Sequence, residues 1–445
     1  MTGYREILQR AWPLILANTA VPLLGLVDTA VIGNVGKVTD LGAIALGSII
    51  FSFLYWSLGF LRMGTTGFVA RASGAGDDVG VRAALGRSLL LALMLGIALI
   101  SLQGVIARLS FGLLNASAGV EALAEEYFFI RIWGAPATLS IFAFMGLLIG
   151  QGESRSVLRV QVLLNGLNII LDILFAGYLE MGARGIALGT VIAEWFSMFY
   201  ACIVVVSRLR IDWAGKGLWP IQRILDRYAL YGMLTANLDI MIRTVMLVFS
   251  FAFFTDQSAR FGNAALAANH ILLQLIAFSA FFLDGYAFVV ESLAGKAMGA
   301  GNCAAFKVAV KRTTMLALLT ASLLALGIYV FGAGLVALLT DLVNVQELAG
   351  ELLWLTAIYV LCSFMAFQLD GIFIGVSFTG EMRNAAIASL LIFLAAWWFL
   401  IERMGMVGLW WAMIIYVLAR ALALLFYYPK LLRSFPMADT SQLGL

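Results

Sequence analysis

Histidine is almost missing from this chain: His270 is the only one in 445 residues, beside three scattered cysteines, Cys202, Cys303 and Cys362. One imidazole and three thiols in or beside apolar runs match no zinc, disulfide or Cys/His nucleophile spacing. An integral membrane enzyme would therefore lack both a nucleophile with its base and a metal centre, and no cofactor is expected. The cysteines read as small packing residues. No GxxxxGK[ST] stretch occurs, nor a soluble region large enough to hold a nucleotide, so ATP hydrolysis is excluded as a driving force. Charge is scarce too: 12% of residues are charged and 63% hydrophobic, where soluble domains have about 25% and roughly 45–50%. That composition cannot be hidden inside one soluble core. The alternating pattern of a membrane barrel strand is also absent.

What the chain has instead is a series of apolar runs of about 20 residues, each able at about 1.5 Å per residue to cross a hydrocarbon layer of about 30 Å. Twelve are expected, centred near residues 22, 56, 96, 138, 168, 195, 242, 276, 322, 363, 393 and 417. Lipid offers backbone N–H and C=O groups no partner, so each run is expected to be a helix. The fold class is an all-α polytopic membrane protein, with the lipid bilayer as its first partner. The first run is too long for a signal peptide and should remain in the mature chain. Of 28 Lys and Arg, Arg62, Arg243 and Arg420 fall within runs; if the N-terminus is cytoplasmic, 19 of the others lie inside and six outside. That bias places both termini in the cytoplasm. The net charge of +3 is thus a topology signal, and no nucleic-acid partner is expected.

The halves repeat. ARASGAGD (70–77) aligns with GKAMGAGN (295–302), QGESR (151–155) with TGEMR (379–383), and GARGIALG (182–189) with GMVGLWWA (405–412). Six crossings per copy make the repeat parallel, related by an axis along the membrane normal. We expect two six-helix bundles, 1–210 and 229–445, around a central cavity. Between them the basic stretch 211–228 should form an amphipathic helix on the cytoplasmic interface. Trp219 and Pro220 stand at its start, with Ile221, Ile224, Leu225 and Tyr228 on one side and Gln222, Arg223, Asp226 and Arg227 on the other. It reads equally as an elbow or as a tether.

A carboxylate at the centre of a spanning helix costs about 2.5–3.5 kcal/mol on insertion scales, so each one needs a partner or a task. Asp28 interrupts GLVDTAVIG in the first run, and Gln161, Asn165, Asn168 and Asp172 advance by four, three and four along one face of the fifth. Two acids sharing a dry site make one another harder to ionise, so such a pair can exchange protons near neutral pH. The alternative is a polar contact that only fixes packing. Pro22, which frees a backbone carbonyl in the first helix, is the candidate hinge. In the second half, Asp239 and Arg243 are spaced for a structural ion pair. His270, Gln274, Asp284 and Glu291 share a face, and Asp370 lies deep in the tenth run beside Gly371 and Gly375. Together Asp239, Arg243, His270, Asp284 and Asp370 form a candidate second-half polar site. Arg420, Glu291 and Glu194 are expected near helix ends, where charged groups snorkel.

VDTAVIG in the first run, LRMGTTGFVARASGAGD closing the second, and DGIFIG followed by EMRN at the tenth resemble the MATE family of multidrug and toxic compound extrusion transporters, its DinF branch in particular. The resemblance covers nearly the whole chain. It implies a monomeric secondary transporter in a bacterial inner membrane, exporting small organic, often cationic or amphipathic, compounds in exchange for protons or sodium ions. It also implies a proton or cation site at Asp28, Asn168, Asp172 and Thr190, whose residue types all match. Some relatives hold sodium with acids on the seventh and tenth helices; Asp370 is similar to the second, but the seventh-helix Glu has no match. That departure favours H+ as coupling ion, with Na+ at Asp28, Asn168, Asp172 and Thr190 as the alternative. A lipid-linked-sugar flippase of the wider superfamily, with Arg62 and Arg243 as cavity cations, remains the second reading. The substrate cavity should draw on the 31 Phe and 17 Met for adaptable contacts.

Overall fold

The structure is a computed structural model that describes residues 3–35, 38–113, 117–209 and 219–435, with side chains for all of these outside 21–38. Its long elements are α1 (Tyr4–Val35), α2 (Thr39–Gly74), α3 (Asp78–Ser101), α4 (Ala118–Gln151), α5 (Ser154–Tyr178), α6 (Gly182–Arg208), α7 (Arg227–Ala259), α8 (Asn263–Gly299), α9 (Cys303–Leu339), α10 (Val343–Gly375) and α11 (Thr379–Arg433). No strand occurs among the described residues. The ten helices from α2 to α11 are long and apolar enough to cross a bilayer. Gly405, at φ 54° and ψ −129°, breaks α11 into arms 379–404 and 406–433. With the 32-residue α1, the described backbone carries twelve crossing-length segments, one at each expected place.

The chain forms two compact units, one of Trp12–Val69 and Asp77–Leu234, the other of Met1–Ala11, Ala70–Gly76 and Thr235–Leu445. In the first, an apolar core gathers Phe51 of α2, Tyr127 and Phe128 of α4, Ile186 of α6 and Phe111 of the short helix Gln103–Leu113. In the second, small residues bring α8 and α10 together: a Cβ on Gly371 would lie 2.5 Å from the Ala287 carbonyl oxygen. Dispersion packing of this kind holds helices together where lipid is as apolar as the protein.

The repeated GAGD and GAGN stretches build the same turn twice. Gly76 and Gly301 take φ of 70° and 64°, a left-handed backbone open to glycine at no steric cost. The next residue then caps a helix: Asp77 accepts from the Gly80 N–H and Asn302 from the Ala305 N–H, each at 2.8 Å.

The connection is shorter than the amphipathic helix expected from its sequence. Residues 210–218 lie outside the described residues, and beyond them only one turn, Ile221–Ile224, is helical. Ile224 packs on Gly86 of α3, while Ile221, Leu225 and Tyr228 are exposed. Hydrogen bonds also hold the turn. Arg223 Nη1 donates to Asp77 at 2.7 Å, and Arg87 Nη1 donates to the Arg223 carbonyl at 2.7 Å.

Partial burial pushes the Asp77 carboxyl up, but the Gly80 N–H and the Arg223 guanidinium outweigh it and hold the group below its ordinary range. Folding that lowers a carboxylate's pKa contributes stability above the unfolded value, about 3.9, and loses it as pH falls through the folded one. Hydrogen-exchange protection of residues 219–225 should therefore hold steady from neutral pH to about pH 4 and fall below that. Asp77→Asn should lower protection already at neutral pH and remove the step. Unchanged protection in the variant would leave Ile224 packing and the Arg87 hydrogen bond as the anchors.

Candidate functional site

The fifth-run stripe folds as its spacing predicts. Gln161 Nε2 donates to Asn165 Oδ1 at 3.2 Å, and one turn further Asn168 takes over. Asn168 Nδ2 donates to Asp172 Oδ1 at 3.3 Å and to Thr190 Oγ1 of α6 at 3.2 Å, while Thr190 Oγ1 donates to the Ile186 carbonyl at 2.9 Å. Asp172 is 0% exposed and Asn168 1%. The amide thus bridges a buried carboxylate to a hydroxyl on the neighbouring helix.

Two backbone features shape this place. Asp172 is the last α-helical residue of α5 before a π-helical turn, Ile173–Tyr178, an irregularity that recurs at functional sites. Gly189 of α6 faces the acid, and a Cβ there would sit 2.7 Å from Asp172 Oδ1. A larger residue would push against the carboxylate.

Three of the four residues expected at the N-terminal site, Asn168, Asp172 and Thr190, are therefore brought together. Asp28 and the hinge candidate Pro22 have helical backbone within α1, and their side chains lie outside the described residues.

The second-half polar site does not assemble as one cluster. The expected pair of Asp239 with Arg243 is replaced by two others. Asp239 accepts from Arg383 Nη1 at 2.7 Å and from Thr379 Oγ1 at 3.1 Å. Arg243 instead donates to Asp370 Oδ2, the oxygen that also accepts from Arg420 Nη2 at 2.5 Å. A four-residue spacing allows a pair, but long side chains follow the better acceptor across helices. His270 is exposed, with Gln274 Nε2 3.4 Å from its Nε2, while Asp284 is half-buried further along α8.

Three charged residues assigned to snorkelling ends are buried: Glu194 is 5% exposed, Glu291 1% and Arg420 8%. Glu194 lies at the middle of α6 and Arg420 at the middle of the second arm of α11, while Glu291 is eight residues from the end of α8. Glu194 sits one turn past Thr190 on α6, with Oε2 against the Gly134 backbone and with Arg131 and Thr138 of α4 as its polar neighbours. Arg131 in turn donates to Tyr127 Oη at 3.0 Å and lies 4.7 Å from the Phe51 ring centroid. The signal for Glu194 was its step of four from Thr190; that for Arg420 was its place at the middle of the last run.

Comparison with known proteins follows the same lines. The MatE family model matches residues 13–174 and 240–396, one block in each half. The chain is 34% identical over 423 residues to DNA damage-inducible protein F of Escherichia coli (strain K12), covering 93% of this chain and 89% of that one. It is 26% identical over 353 residues to a probable multidrug resistance protein NorM of Thermotoga maritima, covering 78% and 74%. Among solved structures, an outward-facing multidrug resistance MATE family transporter of the MOP superfamily superposes with TM-score 0.86 at 18% identity, covering 98% of this chain and 97% of that one. The bent form of the Vibrio cholerae MATE transporter VcmN gives 0.85 at 21%, covering 97% of each. These last two likenesses concern the fold; with the family model and the relatives beside them, the chain belongs to the MATE family of multidrug efflux transporters, membrane proteins that are not enzymes.

Proposed function

We propose that this chain is a proton-coupled antiporter that exports small organic, often cationic or amphipathic, compounds across a bacterial inner membrane, both termini being cytoplasmic. The observation that carries the reading is the Asn168 bridge between Asp172 and Thr190. The Asn168 amide and the Thr190 hydroxyl beside this buried carboxylate are neutral, which suits it to taking up a proton. Asp28, on the first run, would complete the pair.

Asp370 favours the same half for coupling. Its Oδ2 is occupied by two guanidinium groups, so a sodium ion there would have to compete with two fixed cations. One charge crossing 100 mV supplies about 2.3 kcal/mol, nearly two decades of concentration gradient, so one or two protons per cycle suffice. Protonation would neutralise the buried pair and let α1 repack near Pro22, turning ion loading into a change of access.

Reconstituted vesicles with an imposed pH gradient, following a fluorescent cationic dye, test this directly. Asp172→Asn and Asp28→Asn should each lower proton-driven dye export at least tenfold while leaving dye binding measurable. Equal export by either variant would remove the coupling role. Export that follows an imposed sodium gradient and ignores pH would move the reading to sodium at the same residues.

Gly189→Ala should lower proton-driven export several-fold and shift its pH midpoint, because the added methyl crowds Asp172 Oδ1. Asn168→Ala should do the same by taking away a hydrogen bond worth about 1–3 kcal/mol when a buried partner is left unpaired. A pH profile unchanged in both would show that the bridge does not tune the acid.

A further inference from the structure

We infer that the second unit holds a binding site for an aromatic or amphipathic oxyanion, a carboxylate foremost, built by Arg243, Arg420, Tyr416 and Trp397. The first observation is an imbalance of charge. Arg243 of α7 and Arg420 of the second arm of α11 share one oxygen of Asp370, and neither has another acidic partner among the described residues. Asp239 is already taken by Arg383 at 2.7 Å. Two guanidinium groups, 9% and 8% exposed, therefore face one carboxylate. Burying an uncompensated charge is expensive, and an anionic guest removes the imbalance.

The second observation concerns hydrogen-bonding capacity that remains. Arg243 Nε, Trp397 Nε1 and Tyr416 Oη are buried without a partner. The first two can only donate, and the phenol donates as readily as it accepts. Elsewhere in this unit the unpartnered buried groups include Asn237 and Gln368, whose amides leave donor and acceptor alike. Arg243 Nε, on the arginine that shares Asp370 with Arg420, and Tyr416 Oη, on the ring beside Arg420, thus offer donors, the complement of an oxyanion.

Rings supply the rest of the recognition. Phe249 is exposed and stacks on Phe253 at 6.0 Å between centroids; Phe253 meets Trp397 edge-on at 4.9 Å and Phe393 at 5.8 Å. Phe393 packs on Tyr416 at 5.5 Å, and the Arg420 guanidinium lies 5.7 Å from the Tyr416 centroid. The series runs from an exposed ring to the paired guanidinium groups. Aromatic faces and edges suit a ring-bearing guest, and a planar guanidinium suits a carboxylate. As a site for exported compounds this rests on the transport reading above; as a binding site it stands without it.

The test is therefore binding, on purified protein in detergent, read by fluorescence anisotropy with two xanthene dyes of like skeleton: fluorescein, an anion, and rhodamine 123, a cation. Wild type should bind fluorescein saturably, with benzoate competing and benzylamine not. Arg420→Gln should weaken fluorescein at least tenfold and change rhodamine 123 less than twofold. Trp397→Phe, which keeps a ring and drops the donor, should weaken fluorescein several-fold with no loss of folding. Absence of saturable fluorescein binding, or equal losses for both dyes in Arg420→Gln, would each reduce the cluster to a structural ion knot and overturn the assignment. A failure of proton coupling at Asp172 would leave these results untouched.

Discussion

Every part of this molecule answers to the cost of placing a charge where water cannot follow. A chain with so few charged residues still keeps Asp172, Glu194, Asp239, Arg243, Glu291, Asp370 and Arg420 buried, and each group has to be matched within a few ångströms. The matching differs by place. Asp172 is met by an amide. Asp370 is met by two guanidinium groups, which leave positive charge over. Ion pairs buried in this way add little net stability compared with apolar packing of equal volume. Their persistence is better explained by a task than by folding.

Glycine allows the matching to happen at close range. Gly189 lets α6 lie against Asp172, Gly134 does so for Glu194, and Gly371 seats α10 on the Ala287 carbonyl of α8. Each is a position where a side chain would occupy the space that a polar head or a backbone now fills. In a membrane, helices gain nothing from excluding water from one another, so this closeness is the main source of cohesion. The positions that let helices approach are therefore the same ones that bring buried charges within reach of a partner.

The depth of reading that a sequence allows follows from this division. Run length and composition placed all twelve crossing segments, because the bilayer imposes one dimension on every span. The polar stripe of α5 was legible because its spacing of four, three and four puts Gln161 through Asp172 on one face regardless of tertiary detail. Pairing across helices was not legible. Spacing put Arg243 beside Asp239, yet the guanidinium reaches Asp370, some 127 positions away in sequence, since only the packed helices decide which acceptor is nearer. Burial depth was misjudged for Glu194 and Arg420 for a similar reason: snorkelling depends on where the bilayer edge falls relative to long helices that extend past it. In the described part of the connection the helix stops after one turn, where Asp77 captures Arg223, a cross-helix contact that spacing alone does not show.

Asp172 and Asp370 thus meet their partners in opposite manners, and this contrast orders their chemistry. Asp172 accepts from the neutral Asn168 amide, and on the transport reading it is the group that takes up the proton. Asp370 accepts from two guanidinium groups, whose like charges repel strongly in a medium of low dielectric constant and need an acid between them. The acid of α5 is suited to carry an ion, whereas the acid of α10 is suited to hold arginines in place. Arginines held rigidly, with unspent donors and a train of rings beside them, are preorganised for a guest of opposite sign, and preorganisation lowers the entropy that binding would otherwise lose. An exporter that assigned both duties to one carboxylate would have to release its guest whenever its proton changed. On the transport reading, separate residues for the two duties let each site be shaped for its own ligand while one change of access couples them.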